Sequence, residues 1–336
     1  MENETNIDKH MLRPIAEKLY EITDEMWNKI NSDNRELVEE YLKVNKQLSQ
    51  KTKEVYTSAL RQFFWFVYEN LKDKPFYKIS KRDFMKYMSY LQERGLSSSA
   101  IGLRKASVSS FCNYIENVVA DDMEECNNFR NFTRGMPSIA KNKVYDKVAI
   151  TYDEYKLLIK ELENMKDYLG LAWVATAFNV GSRRAEIIQF KTEILDYPIQ
   201  EGQNYIITHM VRGKGKSIDG KPVRFMVNTD ALHYMKLWVE NRKYDSEYIF
   251  VVKYGGTINP ISTNWANRFC KEILSPILGK RCHPHMFKAS CITYLLEKGK
   301  DLKLVSKYVA QHEDTATTSG FYDLRSFEEE KNSIFD

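Results

Sequence analysis

Four short clusters in the second half of the chain carry side chains able to grip a phosphate and move protons around it. In Asn179-Val-Gly-Ser-Arg-Arg-Ala-Glu-Ile-Ile-Gln189, Gly181 breaks a helix and Arg183 stands at the start of the next, with Glu186 one turn further on. An arginine there can present its planar fork to two phosphate oxygens while the carboxylate holds the guanidinium in place. On this segment alone the plainer reading, an ordinary ion pair at a helix start, is the stronger one. The second cluster, Val211-Arg-Gly-Lys-Gly-Lys-Ser-Ile-Asp-Gly-Lys-Pro-Val-Arg224, sets five cations against Asp219, and Asp219-Gly220 can make a tight reversal between two strands. From such a hairpin tip Lys214 can reach a groove and protonate a leaving alkoxide, although lysines also decorate strand edges simply to block aggregation. In the third cluster, Cys282-His-Pro-His-Met-Phe-Lys288, His285 and Lys288 share a face of the helix that begins there, so one phosphate can meet an imidazole and an ammonium. The fourth runs from the helix Asp301–Ala310 through Gln311-His312 to Ser-Gly-Phe-Tyr322. With 21 tyrosines in the chain, one that follows Phe321 would by itself be assigned to packing.

Elements have to bring these clusters together, and the chain is long enough for two domains. Val55, Tyr56, Ala59, Leu60, Phe63, Phe66 and Val67 recur at helical spacing; Ser80 with Asp83 starts a second helix carrying Phe84, Tyr87, Met88 and Leu91; a third enters at Ser97 with Ile101, Val108, Phe111, Cys112 and Ile115. These predict a helical bundle over residues 46–132, preceded by a helical extension, 1–45. Residues 133–147, with Gly, Pro and Ser and a local charge of +3, read as a basic linker. Beyond it, Thr151 and Glu154 form a capping box, Leu169 to Asn179 is helical, and Tyr205–Val211, Val223–Val227 and Tyr248–Val252 read as strands. The expected fold class is mainly α with a small antiparallel β-sheet, a helical domain followed by a mixed α+β domain over 148–322 and an acidic tail, 323–336.

Cysteines 112, 126, 270, 282 and 291 form an odd set without a C-x-x-C pair, which argues against a disulfide framework or a zinc site. No D-x-D or acidic cluster suits catalytic magnesium, so neither metal nor cofactor is expected. No apolar run approaches the roughly 20 residues that span a bilayer, and the acidic N-terminus lacks the order of a secretory signal, so no membrane partner and a cytoplasmic location are expected.

Taken in order, the four clusters resemble the tyrosine recombinase (phage integrase and Xer-type) family, whose pattern is G-x-R-x-x-E, a lysine on a β-hairpin, P-H-x-x-R, G-H or G-W, and a tyrosine about nine residues on. The resemblance runs from about residue 46 to 325 and includes the N-terminal core-binding (SAM-like) domain, with its Ser-rich helix entry at Ser97-Ser-Ser-Ala-Ile. It implies that Arg183, Lys214, His285, Lys288 and His312 are catalytic with Glu186 in support, and that Tyr322 is the nucleophile. Three departures stand out: Lys288 replaces the usual arginine, Ala310-Gln311-His312 replaces L-G-H, and the tyrosine lies ten residues beyond His312.

The function implied is a site-specific recombinase acting on double-stranded DNA through a 3′-phosphotyrosine, with a mobile-element integrase or transposase as the expected role, because the departures from the housekeeping pattern suit a specialised enzyme. Four protomers would assemble on two DNA sites, nucleoid-associated when bound, with accessory proteins setting direction. Arg134, Lys141, Lys143, Lys147, Arg212 and Lys216 would contact DNA, and the apolar tail residues Leu324, Phe327, Ile334 and Phe335 would dock on a neighbouring protomer or on their own. A catalytically silent DNA-binding protein and a type IB topoisomerase-like relaxing enzyme are the alternatives.

Overall fold

The computed structural model describes residues 11–12, 16, 19–142, 145–215, 220–327 and 331, which divide into two compact units, 11–146 and 147–336. No helix among the described residues is long and apolar enough to cross a membrane.

The first unit is helical: α1 (Asp24–Trp27), α2 (Ser32–Val44), α3 (Gln50–Asn70), α4 (Lys81–Glu93) and α5 (Ser98–Asn117). Ser49, Ser80 and Ser97 cap the last three by accepting backbone N–H bonds, and Ser80 with Asp83 completes a capping box. Their apolar stripes meet in a core of Phe63, Phe64, Phe76, Phe84 and Phe111, in which the ring pairs adopt edge-on and tilted geometries. The segment expected to be an added extension is integral to this unit. Ile22, Trp27, Ile30, Leu37, Val38 and Tyr41 are buried in the same core, and buried Asn34 ties α2 to the segment that follows α3, donating to Lys74 O (3.0 Å) and accepting from Phe76 N (2.7 Å). The start of the presumed linker, 133–147, is likewise built in, because Thr133 is buried, held by the Asn131 side chain, and Met136 and Ile139 pack against this core.

The second unit begins with the Thr151–Glu154 capping box that opens α6 (Tyr152–Met165). Next comes α7 (Tyr168–Val180), buried almost all round, as an apolar helix with no polar face must be. Gly181, at φ 65°, ends α7, and short α8 (Arg184–Ile187) follows at once. The expected pair of long strands is broken by a bulge: β1 (Tyr205–Ile207) pairs with β4 (Met226–Asn228), and β2 (Val211–Gly213) with β3 (Lys221–Val223), all antiparallel. Residues 208–210 therefore face only 224 and 225, and buried Thr208 fills the mismatch, its N–H on Phe225 O (2.9 Å) and its hydroxyl accepting from Phe225 N (3.0 Å). After α9 (Thr229–Asn241), the third expected strand lies further along than anticipated. Ile249 bonds the Phe190 backbone, and β5 (Val251–Tyr254) then turns at Gly255-Gly256 into β6 (Thr257–Pro260).

The remainder is helical: α10 (Thr263–Phe269) runs through a π segment into α11 (Ser275–Leu278), then α12 (Pro284–Glu297), α13 (Leu302–Leu304) with a second π segment at Val305–Val309, and α14 (Thr315–Phe321). α7 packs against α6, α9 and α12, and a smaller core of Ala289, Ile292, Leu296, Val305 and Ala310 receives the Tyr322 ring.

Candidate active site

Each site residue stands where an element begins, ends or is interrupted. Arg183 is the N-cap of α8. Its backbone N–H donates to Glu186 Oε2 (2.6 Å) and its Nη1 to Glu186 Oε1 (2.9 Å), so one buried carboxylate fixes both ends of the arginine. The turn that delivers Arg183 admits only glycine at 181: besides the positive φ, an added Cβ would lie 2.8 Å from Val309 Cγ1 and 3.2 Å from Cys291 Sγ.

His285 and Lys288 lie on α12, which starts at Pro284 with His283 as N-cap, so His285 sits within the first turn and does not precede the helix. The Lys288 side chain is completely buried, and its ammonium donates to Ala310 O at 2.7 Å. Burial, and then the charge of Arg183, push its pKa down to about 8, against the opposing pull of Glu186. Burial followed by the charges of Lys288 and Arg183 lowers His285 below the ordinary histidine value and takes His312 down to about 4, so both imidazoles are neutral near pH 7.

His312 follows the π segment, with Gln311 held at φ 58°. The left-handed position explains why the related pattern has glycine there. Gln311 holds the conformation with its side-chain amide, which donates to Arg224 O (2.9 Å) on the hairpin and to Tyr308 O (3.1 Å).

Tyr322 caps the C-terminus of α14 and is buried. Its hydroxyl lies 3.3 Å from His285 Nε2, its ring centroid is 4.8 Å from that of His312 and 5.9 Å from Lys288 Nζ, and its carbonyl accepts from Thr293 Oγ1 (2.9 Å). Burial raises the phenol pKa, while the nearby charge of Arg183 opposes the rise. Five of the expected catalytic side chains, Arg183, His285, Lys288, His312 and Tyr322, thus lie close together, with Glu186 supporting the first.

Lys214 is not tied to this group. It is exposed just past β2, beside residues outside the described set, and makes no hydrogen bond or ion pair among the described residues. Its hairpin is nonetheless anchored to α8, because the Gln189 amide pairs with both the N–H and the C=O of Arg212 at 3.0 Å. Of the residues expected to meet DNA, Arg134 is engaged with Glu116 (2.8 Å) and Asn113 (3.0 Å), and Lys141 is exposed. Lys147 donates to Phe321 O at 3.2 Å and lies 4.6 Å from the centre of that exposed ring. Lys143 and Lys216 lie outside the described residues, as do Ile334 and Phe335; Leu324 packs in cis against the core around Tyr322, and Phe327 is exposed. Among the described residues no three His, Cys, Asp or Glu side chains gather as a metal site.

Sequence reasoning missed Ser306, Thr318, Thr293 and the Ala310 carbonyl. Small hydroxyl residues and backbone oxygens carry no spacing signal, and only the fold reveals whom they touch.

The phage integrase family profile matches residues 149–328, and that of the phage integrase N-terminal SAM-like domain matches residues 35–121. Over 330 residues the chain is 57% identical to the SPbeta prophage-derived recombinase-like protein YomM of Bacillus subtilis (strain 168), with 98% of each chain covered. Tyrosine recombinase XerC of Pediococcus pentosaceus is 23% identical over 292 residues, covering 84% of this chain and 90% of that one. Among solved structures, the Tn1549 transposon integrase in complex with transposon right end DNA matches with TM-score 0.65 at 17% identity, over 89% of this chain and 98% of that one. A lambda integrase tetramer bound to a Holliday junction matches with TM-score 0.64 at 18% identity, over 87% of this chain and 78% of that one. At such identities the likeness is one of fold.

Proposed function

This chain belongs to the phage integrase family, and we propose that it is a site-specific DNA recombinase in which Tyr322 attacks the scissile phosphorus. The observation that carries this reading is the Tyr322 hydroxyl, 3.3 Å from His285 Nε2 and against the Arg183 guanidinium that Glu186 holds. As the phenolic oxygen bonds to phosphorus, its proton passes to His285, and the bond to the 5′-oxygen breaks. Lys214 on the hairpin protonates the departing oxygen, and Arg183, Lys288 and His312 stabilise the charge on the non-bridging oxygens. The product is a 3′-phosphotyrosine and a free 5′-hydroxyl. Attack by a partner strand's 5′-hydroxyl returns the tyrosine and restores the phosphodiester, so no nucleotide is consumed.

Both units would grip the duplex through phosphate contacts, which makes affinity salt-sensitive. Assembly as four protomers on two sites is in keeping with the lambda integrase tetramer, and a mobile-element role with the prophage origin of the 57% identical YomM. One observation favours the second reading, a silent DNA-binding protein: the Lys288 ammonium is already spent on Ala310 O. A nicked suicide duplex carrying the repeats that flank the coding sequence separates the two. A covalent protein–DNA adduct, with recombinant product from a two-site substrate, supports the recombinase; tight binding without adduct supports the silent binder, and relaxation of a plasmid without recombinants supports a topoisomerase.

A further inference from the structure

His312 has one ring nitrogen committed to a buried hydroxyl and the other buried with no partner among the described residues. Its Nδ1 lies 2.9 Å from Thr318 Oγ1, and the Thr318 hydroxyl in turn donates to Ser306 Oγ at 2.9 Å. Thr318 is completely buried and Ser306 nearly so, which shields both hydroxyls from bulk solvent. A threonine hydroxyl has a single proton. Once that proton is given to Ser306, Thr318 can only accept from His312, so Nδ1 must carry the imidazole hydrogen. His312 Nε2, across the ring, is then a bare lone pair, and it is buried without a hydrogen-bond partner among the described residues. An unpaired acceptor in such surroundings is costly, and a site that accepts the cost is built for a group that has yet to arrive.

The same residues fix His312 in space. Its backbone N–H donates to Ser306 O (3.0 Å), and the Thr318 carbonyl accepts the N–H of Tyr322 (3.0 Å). Thr318 therefore holds the imidazole with its side chain and the nucleophile with its backbone, one helical turn apart.

We propose that Ser306 and Thr318 are positioning residues that hold His312 in the Nδ1–H tautomer, with the Nε2 lone pair as a proton acceptor facing the reacting centre. The inference rests on the reading of His312 as a phosphate ligand and adds how it works: the neutral ring cannot donate to a phosphate oxygen, so Nε2 first takes a proton from solvent as the arriving phosphate anion raises the basicity of the ring. The imidazolium so formed donates from both nitrogens, to Thr318 and to the phosphate.

The test is a long-range 15N–1H correlation spectrum of the histidine rings in the full-length protein, with the His312 signals identified by their loss in His312→Ala. The wild type should show protonated Nδ1 and unprotonated Nε2. Ser306→Ala removes the acceptor for the Thr318 proton, which can then turn toward Nδ1 and move the population to the Nε2–H tautomer. Thr318→Ser should retain the wild-type pattern, and Thr318→Val should lose it. A wild-type ring protonated on Nε2, or a tautomer indifferent to Ser306→Ala, overturns the proposal whether or not the protein cuts DNA. In single-turnover cleavage, Thr318→Val should lose about tenfold, the scale of one hydrogen bond, at unchanged DNA affinity, with most of the loss recovered in Thr318→Ser. The loss should vanish in a His312→Ala background; its persistence there would show that Thr318 acts otherwise. A wild type that cleaves no DNA would sink the recombinase reading and leave the tautomer result standing.

Discussion

Replacing Lys288 by methionine should make the free protein more stable while removing its activity. The ammonium is wholly buried, its one acceptor among the described residues is Ala310 O at 2.7 Å, and its pKa falls from 10.5 to about 8. At about 1.4 kcal/mol per unit, folding with the charge in place costs about 3 kcal/mol at pH 7, where the lysine is protonated in both the folded and the unfolded chain. Methionine keeps the length of the side chain without the charge and gives up the bond to Ala310, a loss of about 1 kcal/mol. The net expectation is that Lys288→Met gains about 2 kcal/mol at pH 7. The folded pKa lies below the unfolded one, so the cost is present in full below pH 8 and is relieved as pH climbs toward 10.5, where only the unfolded chain still binds the proton. At pH 10 the gain should have shrunk to near zero. Guanidinium unfolding of the two proteins at both pH values measures it, and comparison between them cancels titrating groups common to both. Cleavage should drop by about two orders of magnitude or more, as when a charge stabiliser is lost. Destabilisation at pH 7, or a gap between the proteins that ignores pH, would refute the argument that Lys288 is a strained cation held ready for an anion.

Other substitutions probe the frame around the site. Gly181→Ala should destabilise the second unit by about 2–4 kcal/mol, combining left-handed strain with overpacking against Val309 and Cys291; an unchanged melting temperature would mean the turn tolerates a side chain. Gln311→Gly relieves about 1 kcal/mol of backbone strain and gives up hydrogen bonding of similar worth, so thermal stability should barely move. Amide exchange in the hairpin of β1 to β4 should quicken all the same, because the tie to Arg224 O is lost. Exchange at the wild-type rate would show that Gln311 does not restrain the hairpin. Raising salt from 50 to 200 mM should weaken DNA binding by a large factor that scales with the number of phosphates neutralised, and a salt-independent affinity would argue against phosphate contacts as its main source.

Much of this fold is visible in the sequence wherever a local rule decides the outcome. The capping box at Thr151–Glu154 forms as its spacing predicts, Ser80 with Asp83 starts α4 as expected, and the stripe from Ala59 to Val67 is buried on the α3 face. Local rules fail where geometry depends on distant partners. The bulge at Thr208 exists because one strand carries an extra residue opposite Phe225, and alternation alone reads straight through it. Residues 22–44 look like an appendage because their apolar positions match no neighbour in sequence, although Trp27 and Tyr41 find theirs on other helices. The candidate site is legible only as residue types in order. That Arg183, His285, Lys288, His312 and Tyr322 meet is a consequence of α7, α12 and the π segment packing together, and the hydroxyls of Ser306 and Thr318 leave no trace in spacing at all.

The most direct measurement is the identity of the residue joined to DNA. Protein trapped on a nicked suicide duplex, digested and sequenced by mass spectrometry, should carry the nucleotide on the peptide containing Tyr322, with a new 5′-hydroxyl on the released strand and no adduct in Tyr322→Phe. A nucleotide on any other residue, or an undiminished adduct in Tyr322→Phe, would contradict the account.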